Sequence, residues 1–265
     1  NTDREIFRFG REGRGVCEFY YPFFLVNSFA YDSLIIYDSP AATLTKIDLA
    51  ALVESRDIAK CANSEHLYRN LNFMYNFNKV DSAFIGTFIE KDEGLFSFCN
   101  RNNGEIKNTD YVPYYFYEKG RKDAYCHHVL VSEKDNSIIV PFKYMNLINC
   151  YDLDGNLKVT YALDWIKEEI NTQIRVDEHT TVTFYRTYAT RNRCYLVWDG
   201  HKIEEELRKY PAKIVVMNWQ GELEKVYQLD NFADFIIPDE KQRMIYVGVY
   251  NAGLEFVEIY KYPML

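Results

Sequence analysis

Pairing is absent among the cysteines. Cys17, Cys61, Cys99, Cys126, Cys150 and Cys194 stand singly, with no C-x-x-C spacing. That excludes a zinc knuckle and a disulfide-framed scaffold, and the expectation is six reduced, mostly buried thiols acting as small hydrophobes. Long apolar runs are missing too. The longest candidate, Tyr20 to Val26, falls far below the ~20 residues a membrane helix requires. Positive charge is in deficit: 31 Lys and Arg face 39 Asp and Glu, a net charge of -8, which excludes a protein that releases counterions from a phosphate backbone, so no nucleic-acid partner is expected. Signature motifs are lacking as well. There is no GK[ST], no GxSxG, no HExxH and no GxGxxG between a strand and a helix. The chain opens at Asn1 with no signal segment, which leaves export open.

Aromatics are what the sequence has in quantity, with 23 Tyr and 18 Phe in 265 residues. Such side chains suit pleated, half-buried surfaces, so the expected fold is all-β in one domain over residues 1–265.

A short phrase recurs, a polar residue or two followed by three or four apolar ones. It reads DSLIIY at Asp32, DSAFIG at Asp81, NSIIVP at Asn136, NRCYLV at Asn192 and RMIYV at Arg243. Ser33, Ser82, Ser137, Arg193 and Met244 are then equivalent positions, spaced about 50 residues apart. A second phrase keeps pace: Leu147 to Leu163 superposes without a gap on Lys213 to Leu229, matching Gly155 to Gly221 and Leu157 to Leu223, and Leu95 to Thr109 is a weaker third copy with Gly104 at its turn. Each copy reads as apolar strand, polar turn ending in Gly, alternating strand, which is a β-hairpin. Joined, the phrases give a four-stranded antiparallel meander, the blade of a β-propeller. Five blades are countable, or six if a further blade precedes Asn1. The last, Phe232 to Tyr262, holds three strands, and the segment Arg4 to Gly10 is expected to supply its fourth and close the ring. Two stretches, Asp164 to Ile170 and Lys202 to Tyr210, have helical apolar spacing and are expected to form short helical insertions.

The glycine-spaced stretch FGREGRGVCEF, Phe9 to Phe19, falls between the closing strand and the first inner strand. It resembles the G-x-x-G-x-G-P-G-E-F loop of six-bladed, TolB-like propeller proteins, with Gly10, Gly13, Gly15, Glu18 and Phe19 at matching places and Val16 and Cys17 where that family carries Pro and Gly. The C-terminal stretch Leu254 to Leu265 also resembles the way such chains finish. The resemblance implies export, a lipid anchor on the precursor and a place in the bacterial cell envelope, in the periplasm or at the outer membrane. It implies no defined chemistry. From the residues alone the loop has two readings: a tight turn in which glycines supply positive φ and Glu18 ties neighbouring amides, or a pair of cationic forks, Arg11 and Arg14, offered to an anion.

Other constellations carry less. His127 and His128 are adjacent on an expected inner strand and so point to opposite faces; with His66, His179 and His201 distant in sequence, no metal is expected. CYDLDGNL, Cys150 to Leu157, lacks carboxylates at the first and last positions of a calcium loop and reads as a turn. The aromatic run Tyr111, Tyr114, Tyr115, Phe116 and Tyr117 reads either as a platform for a sugar or partner protein or as blade packing.

The expected function is a non-enzymatic propeller that binds a partner protein, a small molecule or a glycan at the channel mouth or disc face. The competing class is a glycan hydrolase or lyase with its active site in the central channel. No cofactor is expected, and contact with a membrane only through the anchor. Position in the repeat nominates Arg11, Arg14, His128, Tyr185, Arg186 and Tyr250 as ligand-binding residues; no catalytic residue is nominated.

Overall fold

A computed structural model describes residues 12–13, 17–25, 33–88, 94–110, 128–163, 176–205, 210–251 and 256–264. The fold is all-β, a β-propeller, and its blades fall in two compact units, residues 1–109 and 110–265. Arg11, Arg14, His127, Cys126, the segments Arg4 to Gly10 and Asp164 to Ile170, and the aromatic run from Tyr111 to Tyr117 lie outside the described residues. Among the described residues no helix is long and apolar enough to cross a membrane.

The first unit holds two four-stranded antiparallel sheets. One is β1 (Pro22–Phe24), β2 (Ser33–Asp38), β3 (Thr43–Asp48) and β4 (Ala62–His66); the other is β5 (Met74–Lys79), β6 (Ala83–Phe88), β7 (Ser97–Asn100) and β8 (Ile106–Asn108). Period-two alternation sorts β2 onto two cores. Tyr37 joins Leu44, Leu71, Met74, Phe77 and Phe84 between the sheets, whereas Ile36 joins Ile47, Leu52, Cys61, Cys17 and Phe19 on the opposite face. Two short helices cover that second face, α1 (Leu49–Ser55) and α2 (Ile58–Cys61), capped by the Asp48 and Asp57 carboxylates, which accept from the amides of Ala51 and Ala59. Both helices were missed by the sequence reading, although Asp48 before LAALVES is an N-terminal signal.

The second unit holds three sheets. They are β9 (Leu130–Ser132) to β12 (Leu157–Ala162) with β10 (Ser137–Pro141) and β11 (Leu147–Tyr151) between; β13 (Thr181–Ala189), β14 (Arg193–Lys202), β15 (Lys213–Asn218) and β16 (Leu223–Gln228); and β17 (Phe235–Asp239), β18 (Met244–Asn251) and β19 (Phe256–Pro263). Strands run in chain order within each sheet, middle strands such as β10, β11 and β15 largely buried and outer strands such as β16 exposed. Among the described residues the last sheet has three strands. Tyr195, Val197, Ile214 and Val216 pack on Ile236, Ile245 and Val247 to join the last two sheets.

The repeat stands at residue resolution. Ser33, Ser137, Arg193 and Met244 each open the second strand of their sheet, and Ser82 stands one residue before β6. Gly104, Gly155 and Gly221, the matched turn glycines, have φ of 71°, 85° and 87°, values that favour glycine. One expectation is corrected: Lys202 ends β14 and residues 203–205 are turn, so the described part of the stretch from Lys202 to Tyr210 is not helical. β13 and β14 are long strands that draw Lys202 into the ladder opposite Thr181.

Candidate functional site

In the second unit β13 touches both β9 and β17, so the first strands of three sheets lie side by side. β13 is anchored at its start. The Thr183 hydroxyl donates to the carbonyls of Phe142 and Met145 at 2.7 and 2.9 Å, and the Thr183 amide donates to the Lys143 carbonyl at 2.7 Å. This fixes Lys143 and Tyr144 beside β13.

Two register shifts follow. Between Val182 and Phe184 the partner on β14 moves from His201 to Trp198, so Asp199 and Gly200 together face Thr183 and β14 carries one extra residue; between Phe184 and Arg186 it moves only from Trp198 to Val197, so Tyr185 is the extra residue on β13. Such bulges re-aim side chains. Gly200 has φ 68°, and a Cβ there would run into the Trp198 ring, so this insertion needs glycine. The consequence is a division of roles: Tyr185 is 38% exposed, while Asp199, at 2%, is turned inward.

Arg186 links the two. Its Nη1 donates to Asp199 Oδ2 at 3.3 Å, and its Nη2 stands 4.0 Å from Asp234 Oδ1. Its Cζ lies 4.3 Å from the Tyr185 ring centre and 4.8 Å from that of Phe232, distances of cation–π contact. Lys143 Nζ lies 4.6 Å from the Tyr185 ring and 4.8 Å from the Tyr144 ring, so one exposed aromatic holds two cations. The Tyr250 amide donates to Asp234 Oδ2 at 2.6 Å. His128 Nε2 is 2.8 Å from the Tyr185 carbonyl; a carbonyl only accepts, so this nitrogen carries the hydrogen.

Electrostatics follow from burial. Burial pushes the Asp199 carboxyl up to about 7, and Asp234 adds to the rise while Arg186 and Lys143 oppose it. Burial lowers His128, the bond to Tyr185 opposes, and Lys143 and Arg186 lower it further, which leaves the imidazole neutral at pH 7. Among the described residues, Asp199 Oδ1, both ring nitrogens of His201 and the Trp198 indole nitrogen are buried without a hydrogen-bond partner. Buried orphans of this kind are rare in folded proteins, and here they belong to three near-consecutive residues of β14, one of them Asp199, the partner of Arg186.

The first unit carries a concavity of about 830 Å³ lined in part by Glu18, Tyr20, Asp38, Thr45, Ser64 and His66. Its polar groups are already paired: Asp38 accepts from the Tyr20 and Tyr21 amides at 3.0 and 2.8 Å, and Thr45 bonds Ser64 at 2.8 Å. Glu18 lies against Gly13, whose φ of 155° favours glycine.

Of the residues nominated from sequence, the structure brings His128, Tyr185 and Arg186 together and attaches Tyr250 through Asp234. Two placements are corrected. His128 precedes β9, its amide donating to the Pro141 carbonyl at 3.2 Å, and Tyr250 lies on β18, a second strand. His66 and His179 are elsewhere, His66 Nδ1 3.3 Å from Thr43 Oγ1 and His179 Nδ1 2.8 Å from Glu204. Lys143, Asp199, Phe232 and Asp234 were missed. A signal existed for Asp199: WDG inside a strand, where Asp and Gly are both disfavoured, marks a bulge.

Fold and cluster together define a β-propeller with a cationic, aromatic-flanked group of side chains gathered about β13. No protein-family model matches the chain, and no curated protein matches it. Among solved structures, a member of the DUF4221 family from Bacteroides vulgatus is 13% identical with a TM-score of 0.55, over 94% of this chain and 81% of that one. A streptogramin B lyase is 14% identical, with a TM-score of 0.46 over 89% and 67% of the two chains. The extracellular domain of a one-component system from B. thetaiotaomicron is 10% identical, with a TM-score of 0.46 over 86% and 26%. At these identities the likeness is one of fold.

Proposed function

We propose that this chain is a non-enzymatic binding propeller of the bacterial cell envelope, allied to the six-bladed TolB-like proteins, with a lipid anchor on its precursor. It takes a small molecule, a glycan or a segment of a partner protein at the cluster formed by His128, Lys143, Tyr185 and Arg186. The supporting observation is the paired bulge, which turns Tyr185 outward and Asp199 inward. What faces a ligand is then a rigid aromatic flanked by cations, a recognition surface. The group best tuned for proton transfer, Asp199, has a side chain with no exposed surface, whereas a general acid must come within hydrogen-bond reach of its substrate.

The test is to present glycan and peptide arrays to the purified protein and to incubate it with a panel of polysaccharides. Capture of a ligand that Arg186→Ala releases is the expected result. Cleavage or elimination of any polysaccharide overturns the reading in favour of a glycan-active enzyme. Partition of the native precursor into the aqueous phase of a detergent extraction would rule out the anchor.

A further inference from the structure

We propose that the cluster about Arg186 is a carboxylate site that takes up a proton with its ligand: Arg186 receives the carboxylate of a small acidic saccharide, and Asp199, displaced as counter-ion to the guanidinium, becomes protonated. The inference rests on the binding reading above and names the ligand's chemistry.

Arg186 carries five donors in a planar fork. Among the described residues one hydrogen bond uses them, the 3.3 Å bond to Asp199, since 4.0 Å to Asp234 is beyond bonding range. Tyr185 and Phe232 fix the guanidinium, and its side chain is 17% exposed. A fork held in place and short of acceptors matches a carboxylate in bidentate geometry. The exposed Tyr185, apolar on its face and wet at its rim, suits a hydroxylated ring beside that carboxylate.

The proton follows from the same geometry. Asp199 has one oxygen on Arg186 and the other, among the described residues, without a donor. The charged groups around it are Arg186 on β13, Lys143 from the β10–β11 turn and Asp234 ahead of β17. His201, on its own strand and buried, is held neutral, and His128 is likewise neutral. A ligand carboxylate on Arg186 makes two anions share that cation. The one with no exposed surface is the costlier to keep charged, so it accepts one proton from the buffer. No other bond changes.

Calorimetric titration with D-galacturonate, tri-galacturonate and neutral D-galactose at pH 6, 7 and 8, each in two buffers of different ionisation enthalpy, tests this. These acids are ionised throughout that range. Galacturonate should bind about tenfold more weakly at pH 8 than at pH 6, because only the protein with Asp199 protonated is competent. Proton uptake should approach one per ligand at pH 8 and vanish by pH 6. Asp199→Asn should bind at pH 8 as the native protein does at pH 6; if that variant fails to fold, the buffer dependence of the native protein decides. Equal affinity at pH 6 and 8, or heats independent of buffer, overturns the proton coupling. Galactose binding as tightly as galacturonate, or Arg186→Gln keeping galacturonate affinity, overturns the carboxylate site. Failure of both acids while the arrays still yield an Arg186-dependent ligand overturns this inference alone and leaves the binding reading standing.

Discussion

Tyr37 shows how much one hydroxyl carries. Its ring, wholly buried, stacks on Phe77 at 4.1 Å between centroids, and its hydroxyl donates to the Leu71 carbonyl at 2.5 Å. Tyr37→Phe keeps the packing and orphans the carbonyl, so a loss of about 1–3 kcal/mol is expected in urea unfolding. Gly200→Ala acts differently: at φ 68° against the Trp198 ring it should cost about 1–3 kcal/mol and weaken ligand capture, because the bulge that orients Asp199 cannot form unchanged. Melting temperature and array binding read both effects. If the variant melts as the native protein does, the insertion does not depend on glycine.

Among elements, the third-to-fourth-strand hairpins are the most alike. In both Leu147 to Leu163 and Lys213 to Leu229 the register shifts at the equivalent place, leaving Lys158 and Glu224 as inserted residues. In the first hairpin Asp152 accepts from the amides of Asp154 and Asn156 at 3.1 and 2.8 Å and from Lys158 at 2.6 Å. Burial would raise this carboxyl, but the bonds from Lys158 and Asn156 outweigh burial and hold it at about 2. A depressed folded-state value stabilises the fold above the ordinary carboxylate range and loses that contribution as pH falls toward 2. Asp152→Asn should therefore cost about 1 kcal/mol at pH 7 and nothing at pH 2, measured by urea midpoints. The hairpins were legible because strand period and turn glycine are local signals. Their shared bulge was not, since an inserted Lys or Glu on an exposed strand alters no hydrophobic pattern. Likewise α1 and α2 were hidden by their brevity, and Lys202 was misread because helix-forming residues follow it directly.

At the scale of the whole chain, the recurrence of a blade was readable from five equivalent positions, whereas the site was readable only in part. Inner strands and their approaches could be named, so His128, Tyr185 and Arg186 were found; Lys143, Asp199 and Asp234 come from a turn, a second strand and a connection, which sequence spacing does not bring together. The thiols offer a molecule-wide check. Cys17, Cys61, Cys99, Cys150 and Cys194 are all free and buried, and burial raises Cys150 to about 12 and moves Cys17, Cys99 and Cys194 upward. Thiolate is the reactive form, so no more than one of six thiols should react with a disulfide reagent before guanidinium is added. Rapid reaction of two or more contradicts this packing.

Trp198 adjoins Asp199 in the chain, lies against Gly200 and has Lys213 Nζ 4.9 Å from its ring. Its indole is thus a fluorophore one residue along the chain from the titrating carboxyl. Its emission should change colour as the solution is taken from pH 8 to pH 6, and again when a ligand settles, so an unlabelled sample in a cuvette can follow both events in real time.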